Sequence, residues 1–147
     1  CGLLKQTYEF AKERGYAINL DPTVKHEWPS KEDVTKYISE LPLSVNGKVI
    51  TPRDYQIEAT IHAIRNKRSI LLSPTGSGKS LIIYMLIRYF LAHSNKNLPA
   101  LVVVPTTSLV VQMAKDFENY SKNDKCFVAE KEVHQIYSGK EKFKLRL

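Results

Sequence analysis

Residues 69 to 93 constrain the fold most. An apolar run, Ser69 to Leu72, leads into Ser73-Pro74-Thr75-Gly76-Ser77-Gly78-Lys79-Ser80, and a long apolar segment follows, reaching His93. That order predicts a buried strand, a glycine-rich loop and a helix. Gly76 and Gly78 allow the backbone angles that turn several N–H groups toward one anion, and a helix starting near Lys79 adds its N-terminal dipole. Thr75, Gly76, Ser77, Gly78, Lys79 and Ser80 are therefore expected to cradle the phosphates of a nucleotide. Lys79, the expected catalytic residue, would set its charge against the β and γ phosphates, and the Ser80 hydroxyl would ligate Mg2+. Ser73 stands where the general phosphate-loop pattern has glycine. The alternative, a turn that contains Gly-Lys-Ser by chance, sits poorly with its place between a buried strand and an apolar helix.

The same alternation continues downstream. Ala100 to Val104 reads as a buried strand, Pro105 to Thr107 as a turn, Ser108 to Tyr120 as a helix and Val133 to Tyr137 as a third strand before Ser138-Gly139. Buried strands separated by helices predict an α/β domain with a parallel sheet and right-handed crossovers. Upstream, Thr51-Pro52 reads as an N-cap and first turn, giving a helix over Arg53 to Asn66, with the basic pair Lys67-Arg68 after it. Residues 1–50 read as a smaller α+β segment. It contains a helix from Leu3 to Arg14 stopped by Gly15, a short strand from Tyr16 to Leu20 closed by Asp21-Pro22, and a helix from Ser30 to before Pro42. In that second helix Ser30 and Asp33 have capping-box spacing, and Asn46-Gly47 marks a tight turn between extended pieces at 43–45 and 48–50.

Charge divides along the chain. Residues 1–50 carry 7 basic and 7 acidic side chains, residues 51–100 carry 7 and 2, and residues 101–147 carry 8 and 6, for a net charge of +7. A basic body suits a polyanionic partner such as nucleic acid or nucleotide, and equally a soluble lysine-rich surface. The longest apolar stretch, Leu81 to Leu91, is interrupted by Arg88 and is too short to span a bilayer. Cys1 and Cys126 lie far apart with no partner at metal-ligand spacing, which fits a reducing, cytoplasmic setting. The first residue is Cys, so the start reads as a cut point within a longer chain. The sequon Asn119-Tyr120-Ser121 reads as chance in the absence of a secretory signal.

Two further stretches carry chemistry. Arg53-Asp54-Tyr55-Gln56 opens the helix before the loop; a glutamine amide complements the N6 and N7 edge of adenine, and Arg53 could stack on the base. The alternative is an ordinary amphipathic helix start with Tyr55 inward and Gln56 solvated. Val103-Val104-Pro105-Thr106-Thr107-Ser108-Leu109, with Gln112 one turn on, puts hydroxyls at the carboxyl end of a strand, where open α/β sheets bind ligands. Those groups could hold a nucleic-acid phosphate, or Thr106 or Thr107 could simply cap the helix.

In order and spacing, Tyr55-Gln56, Ser73 to Ser80 and Val104-Pro105-Thr106-Thr107 resemble the Q-like motif, motif I and motif Ia of superfamily 2 helicases. Nearly the whole chain is similar to the UvsW-type DNA helicases of tailed phages, including Gly15-Tyr16-Ala17 to Asp21-Pro22, which resembles the end of their small N-terminal DNA-binding domain. The resemblance implies a division into residues 1–50, the end of that domain with a linker, and residues 51–147, the first part of a RecA-like motor domain. It also implies an ATP- and Mg2+-dependent enzyme, phage-encoded and at work in a bacterial cytoplasm, that remodels branched or single-stranded DNA by branch migration, fork regression and R-loop unwinding. On the matching positions, Gln56 would read adenine, Lys79 and Ser80 would hold phosphate and Mg2+, and Pro105, Thr106 and Thr107 would touch DNA.

The sequence departs from the family after Tyr120. No Asp-Glu-x-His or related Walker B sequence follows, and the second motor domain with its arginine finger is missing. The acids beyond motif Ia are Asp116, Glu118, Asp124, Glu130, Glu132 and Glu141; none ends an apolar strand, and they read as solvated surface charge. The expectation is a parent enzyme whose present stretch is inactive alone. Alternatives are a non-catalytic nucleotide- or DNA-binding module and a phosphate-loop kinase, the latter disfavoured by Gln56 upstream and Pro105-Thr106 downstream.

Overall fold

Local rules set most element boundaries. The structure, a computed structural model, describes residues 4–19, 29–94 and 98–139. Helix α1 (Leu4–Glu13) ends where Gly15 takes φ +67°, with Tyr16 N–H bonded to Ala11 O at 2.9 Å and Gly15 N–H to Lys12 O at 3.3 Å. These two bonds form the glycine-terminated Schellman pattern. Helix α2 (Lys31–Glu40) is capped by Ser30, whose hydroxyl accepts from Asp33 N–H at 3.0 Å, and it stops before Pro42. Strands β1 (Ser44–Val45) and β2 (Lys48–Val49) form an antiparallel ribbon. Asn46 and Gly47 turn it at φ +52° and +77°, the paired positive angles of a type I′ hairpin.

Four more helices complete the described elements: α3 (Asp54–Asn66), α4 (Lys79–His93), α5 (Thr107–Tyr120) and the single turn α6 (Ala129–Glu132). Helix α4 is apolar on nearly every side, which demands neighbours on more than one face. It packs between α3 and α5, while α2 lies on α3 and β1 on α5. Val34 and Ile38 of α2, Leu43, Ile61 of α3, Tyr84 and Met85 of α4, Phe117 of α5 and Phe127 form one core. Full burial of each large apolar side chain there contributes about 1.5–3 kcal/mol.

Polar bonds fix how the helices meet. Tyr37 donates to Arg88 O at 2.8 Å, and Ser44 donates to Asn119 O at 2.8 Å. Arg88 pairs with Asp124 at 2.5 Å beneath the surface and lies over the Phe127 ring, while the other Asp124 oxygen accepts from Cys126 N–H and Phe127 N–H. Asp124 is thus buried and paired, which corrects its reading as solvated surface charge.

The expected parallel sheet is not found among the described residues, whose one sheet is the β1–β2 ribbon. Ser69 to Leu72, Ala100 to Val104 and Val133 to Tyr137 carry no strand ladder. Side chains in the first two still alternate as strands do. Leu71, Val102 and Val104 are half-buried, whereas Ile70, Leu72, Leu101 and Val103 are 89%, 96%, 81% and 82% exposed. Only one face of each segment is covered, whereas parallel sheets form where both faces are. Strand propensity is present; the paired backbone that would realise it is not.

Smaller differences have local causes. Thr51 is not the N-cap of α3; Arg53 takes that position, and the helix starts at Asp54. Residues 16–19 form no strand, and Leu20 and Asp21-Pro22 lie outside the described residues. Helix α6 was not expected, being a single turn with its own local bond from Val128 N–H to Glu132. Among the described residues no helix is long and apolar enough to cross a membrane.

Candidate nucleotide site

The loop between residues 73 and 78 is held from both sides by the elements that flank it. On one side is the start of α3. Gln56 is only 6% exposed, and its amide has both ends engaged: Oε1 accepts from Arg53 N–H at 2.9 Å and Nε2 donates to Ser77 O at 2.9 Å. The Tyr55 hydroxyl donates to the same Ser77 carbonyl at 2.9 Å. Tyr55 is the exposed residue of this pair and Gln56 the buried one, so the solvated-Gln56 alternative is reversed. Since the Arg53 group can only donate and the Ser77 group can only accept, the amide's orientation is fixed by its partners.

On the other side is α4, whose N-cap is Gly78 at φ +77°, with Gly76 at φ +79° two residues earlier. Gly78 has a second reason to be glycine: a Cβ there would overlap Gln56 Nε2. Ser73, where the general pattern has glycine, uses its hydroxyl to bond the Ser77 hydroxyl across the loop. The loop closes further through Ser77 N–H to Pro74 O at 3.4 Å. Thr75 and Gly76 sit exposed at its tip.

Lys79 is exposed and folds back over the loop, donating to Pro74 O at 2.8 Å and Ser73 O at 3.3 Å. Its ammonium thus lies against the carbonyl edge of the loop. The Ser80 hydroxyl lies 2.9 Å from the hydroxyl of Tyr120, the last residue of α5. Burial pushes the Tyr120 pKa up, the Ser80 hydrogen bond opposes this, and the nearby Asp116 charge adds to the rise. Beside the loop is a cleft of about 660 Å³, walled by Arg53 at the N-cap of α3, Tyr55 and Ala59 of α3, Ile70, Leu72 and the Thr75 side of the loop. An aromatic ring beside an arginine and apolar walls suits a planar base.

Pro105, Thr106 and Thr107 are exposed at the other end of α5. Thr106 is the N-cap, its hydroxyl accepting from Leu109 N–H at 3.3 Å and lying 3.1 Å from the Ser108 hydroxyl. The capping alternative is therefore realised for Thr106, whose hydroxyl occupies one of the first-turn N–H groups of α5. The structure brings Arg53, Gln56 and the residues 75–80 together and leaves Pro105–Thr107 at the far end of α5. Sequence reasoning missed the Tyr55 clamp on Ser77 and the Tyr120 contact with Ser80. The former lay within a stretch already singled out; the latter joins positions 40 apart and leaves no sequence signal.

Among the described residues no three His, Cys, Asp or Glu side chains cluster as a metal cage. The Ser80 hydroxyl would fit Mg2+ as a single protein ligand, with nucleotide oxygens and water completing the shell, as Mg2+ commonly has.

Residues 49–145 match the family described as type III restriction enzyme, res subunit. The chain belongs to this family. It is also 38% identical over 120 residues to the ATP-dependent DNA helicase uvsW of Enterobacteria phage T4, covering 81% of this chain and 24% of that protein. The DNA 3′-5′ translocase XPB2 of Sulfurisphaera tokodaii is 31% identical over 100 residues, covering 60% of this chain and 21% of that protein. A crystal structure of the UvsW helicase from bacteriophage T4 superimposes with a TM-score of 0.66 at 38% identity, over 81% of this chain and 42% of that one. The fold is thus helicase-like and similar to UvsW, and the resemblance to the UvsW-type helicases holds in both sequence and structure. The chain spans about a quarter of the length of the curated relatives it matches.

Proposed function

We propose that this chain is the front part of an ATP-dependent superfamily 2 DNA helicase. In this reading residues 1–50 are the end of a DNA-binding domain with a linker, and 51–147 are the first part of a motor domain. The observation that carries it is the loop at 73–80, with two glycines at positive φ, Lys79 laid over it and the buried Gln56 locked to its Ser77 carbonyl. Arg53 and Tyr55 would flank the base. Gln56 has one donor and one acceptor position left over from its two backbone bonds, the complement of an adenine edge. Lys79 would exchange two carbonyl partners for phosphate oxygens, and the N-terminus of α4 would face the same charge. Mg2+, held by Ser80 and the nucleotide, would neutralise phosphate charge.

The likeness to UvsW supports branched or single-stranded DNA as the substrate and remodelling in recombination and repair as the role, in a phage-encoded protein acting in a bacterial cytoplasm. Pro105, Thr106 and Thr107, exposed at the N-terminus of α5, would contact the DNA backbone, where a helix start and hydroxyl side chains suit phosphate. This stretch alone is expected to bind nucleotide without turning it over. Asp124 is committed to Arg88, Glu132 accepts from Val128 N–H, and phosphoryl transfer to water also draws on an arginine finger worth about 10³–10⁵ in rate.

Calorimetry with ATP on the wild type and Lys79→Ala tests the binding claim. Loss of a charge-assisted contact of about 1.5–3 kcal/mol should weaken affinity roughly tenfold or more. Equal binding by two folded proteins would end the nucleotide assignment. Phosphate release with forked DNA, with Lys79→Ala as the blank, tests the second claim; turnover above that blank would place a catalytic acid within these residues.

A further inference from the structure

Ser80 is the second residue of α4, and its hydroxyl meets that of Tyr120 at 2.9 Å. A serine hydroxyl carries one proton and two lone pairs and rotates to suit its partners. A cation can use the oxygen only if the proton points elsewhere, so whatever accepts that proton decides how well the ligand is presented. Tyr120 is placed for this by packing. Its ring lies 5.5 Å from that of Tyr84, one turn beyond Ser80 on the same face of α4. Tyr84 is 1% exposed and is packed in turn against Phe117 at 5.5 Å and Phe127 at 6.0 Å. A ring pinned in this way has little freedom to swing its hydroxyl off Ser80.

We propose that Tyr120 is the positioning residue of Ser80, holding the serine hydroxyl with a lone pair free for magnesium–nucleotide and joining that ligand to the carboxyl end of α5. The proposal rests on the reading of Ser80 as the Mg2+ ligand. A phenol hydroxyl is both donor and acceptor, so Tyr120 can accept from Ser80 while passing its own proton to another partner or to water. The same helix begins at Thr106 and Thr107, so the proposed DNA contact and the proposed Mg2+ ligand are addressed by opposite ends of one rigid rod of 14 residues.

The test uses the 147-residue chain and ADP as probe, with affinity measured by calorimetry in Mg2+ and again in EDTA. In the wild type and in Tyr120→Phe, which keeps the ring and loses only the hydroxyl, ADP without Mg2+ should bind equally. The gain in affinity on adding Mg2+ should fall about tenfold in Tyr120→Phe, the low end of what loss of an orienting partner of a metal ligand costs. Ser80→Ala should lose that gain, and the double variant should match Ser80→Ala alone. If Ser80→Ala loses the gain while Tyr120→Phe keeps all of it, the role of Tyr120 is refuted and the loop assignment stands. If Tyr120→Phe weakens ADP equally with and without Mg2+, its role is structural and the proposal fails. If Ser80→Ala itself keeps the gain, the Mg2+ reading fails and takes the proposal with it.

Discussion

Substituting alanine at Gly78 tests whether the loop is shaped by its contact with α3 as well as by its own backbone. Two costs are separable. A side chain at φ +77° and ψ +39° meets the left-handed penalty of about 1–2 kcal/mol. The new Cβ would also overlap Gln56 Nε2 and lie 3.7 Å from its Cδ, so the amide must move. Gln56 is 6% exposed, and displacing it from Ser77 O leaves buried donors unpaired at about 1–3 kcal/mol. Together these destabilise the fold by about 2–5 kcal/mol. Gly76→Ala is the internal control, because φ there is +79° and nothing lies within 4 Å of a Cβ, leaving the backbone penalty alone. Urea unfolding followed by far-UV circular dichroism measures both, and the difference between them isolates the amide. In a Gln56→Ala background the obstructing atom is gone, and Gly78→Ala should then cost no more than Gly76→Ala. An undiminished cost in that background would refute the reasoning, since the penalty would be shown to have nothing to do with Gln56.

If the leftover donor and acceptor of Gln56 read adenine, ATP should bind up to about tenfold better than GTP, and Gln56→Ala should erase that preference; an unchanged ATP-to-GTP ratio in competition binding would confine Gln56 to its two backbone bonds. Alkali should destabilise the fold: burial, the largest cause, pushes the Tyr84 pKa from 10.0 up to about 12, with Arg88 opposing and Asp124 adding to the rise. A raised pKa means that stability is intact below the unfolded value and is lost as pH climbs through the folded one. The urea midpoint should therefore hold steady to about pH 10 and fall toward about pH 12, less steeply in Tyr84→Phe; a flat midpoint over that window would contradict it.

What was legible in the sequence was local. Ser30 with Asp33, Gly15, Asn46-Gly47 and the run from Gly78 to His93 each carry their own stop, turn or start signal within a few residues, and the structure places a cap, a C-terminal glycine, a hairpin and a helix there. The tight loop at 73–80 was readable for the same reason, since Gly76 and Gly78 both take positive φ. Signals that depend on distant partners were not. Ile70, Leu72, Leu101 and Val103 have the composition of buried strands, but composition cannot say whether a neighbouring backbone supplies the ladder. Nor could spacing reveal that Gln56 faces inward while Tyr55 faces out, because that depends on where residue 77 returns in space. Asp124 looked like surface charge until Arg88, 36 residues earlier, was seen to meet it.

The three helices around the loop constrain different atoms of it, and this bears on how it would meet a ligand. Helix α3 fixes the Ser77 carbonyl through Tyr55 and Gln56, α4 fixes the Gly78 end through its first turn, and α5 fixes the Ser80 hydroxyl through Tyr120. On the proposed reading little of the backbone would be left to order when an anion arrives, and the entropic cost would fall on Lys79, whose chain would have to release Pro74 O and Ser73 O. Those two bonds are made by an exposed ammonium and are weak in water, so they restrain it lightly. If the loop is the nucleotide site proposed above, its bracing does not draw on a ladder at residues 69–72 and 100–104. On that reading loop geometry and sheet formation are separable: the loop is held by contacts already made, whereas a ladder would require backbone partners for segments with one bare face.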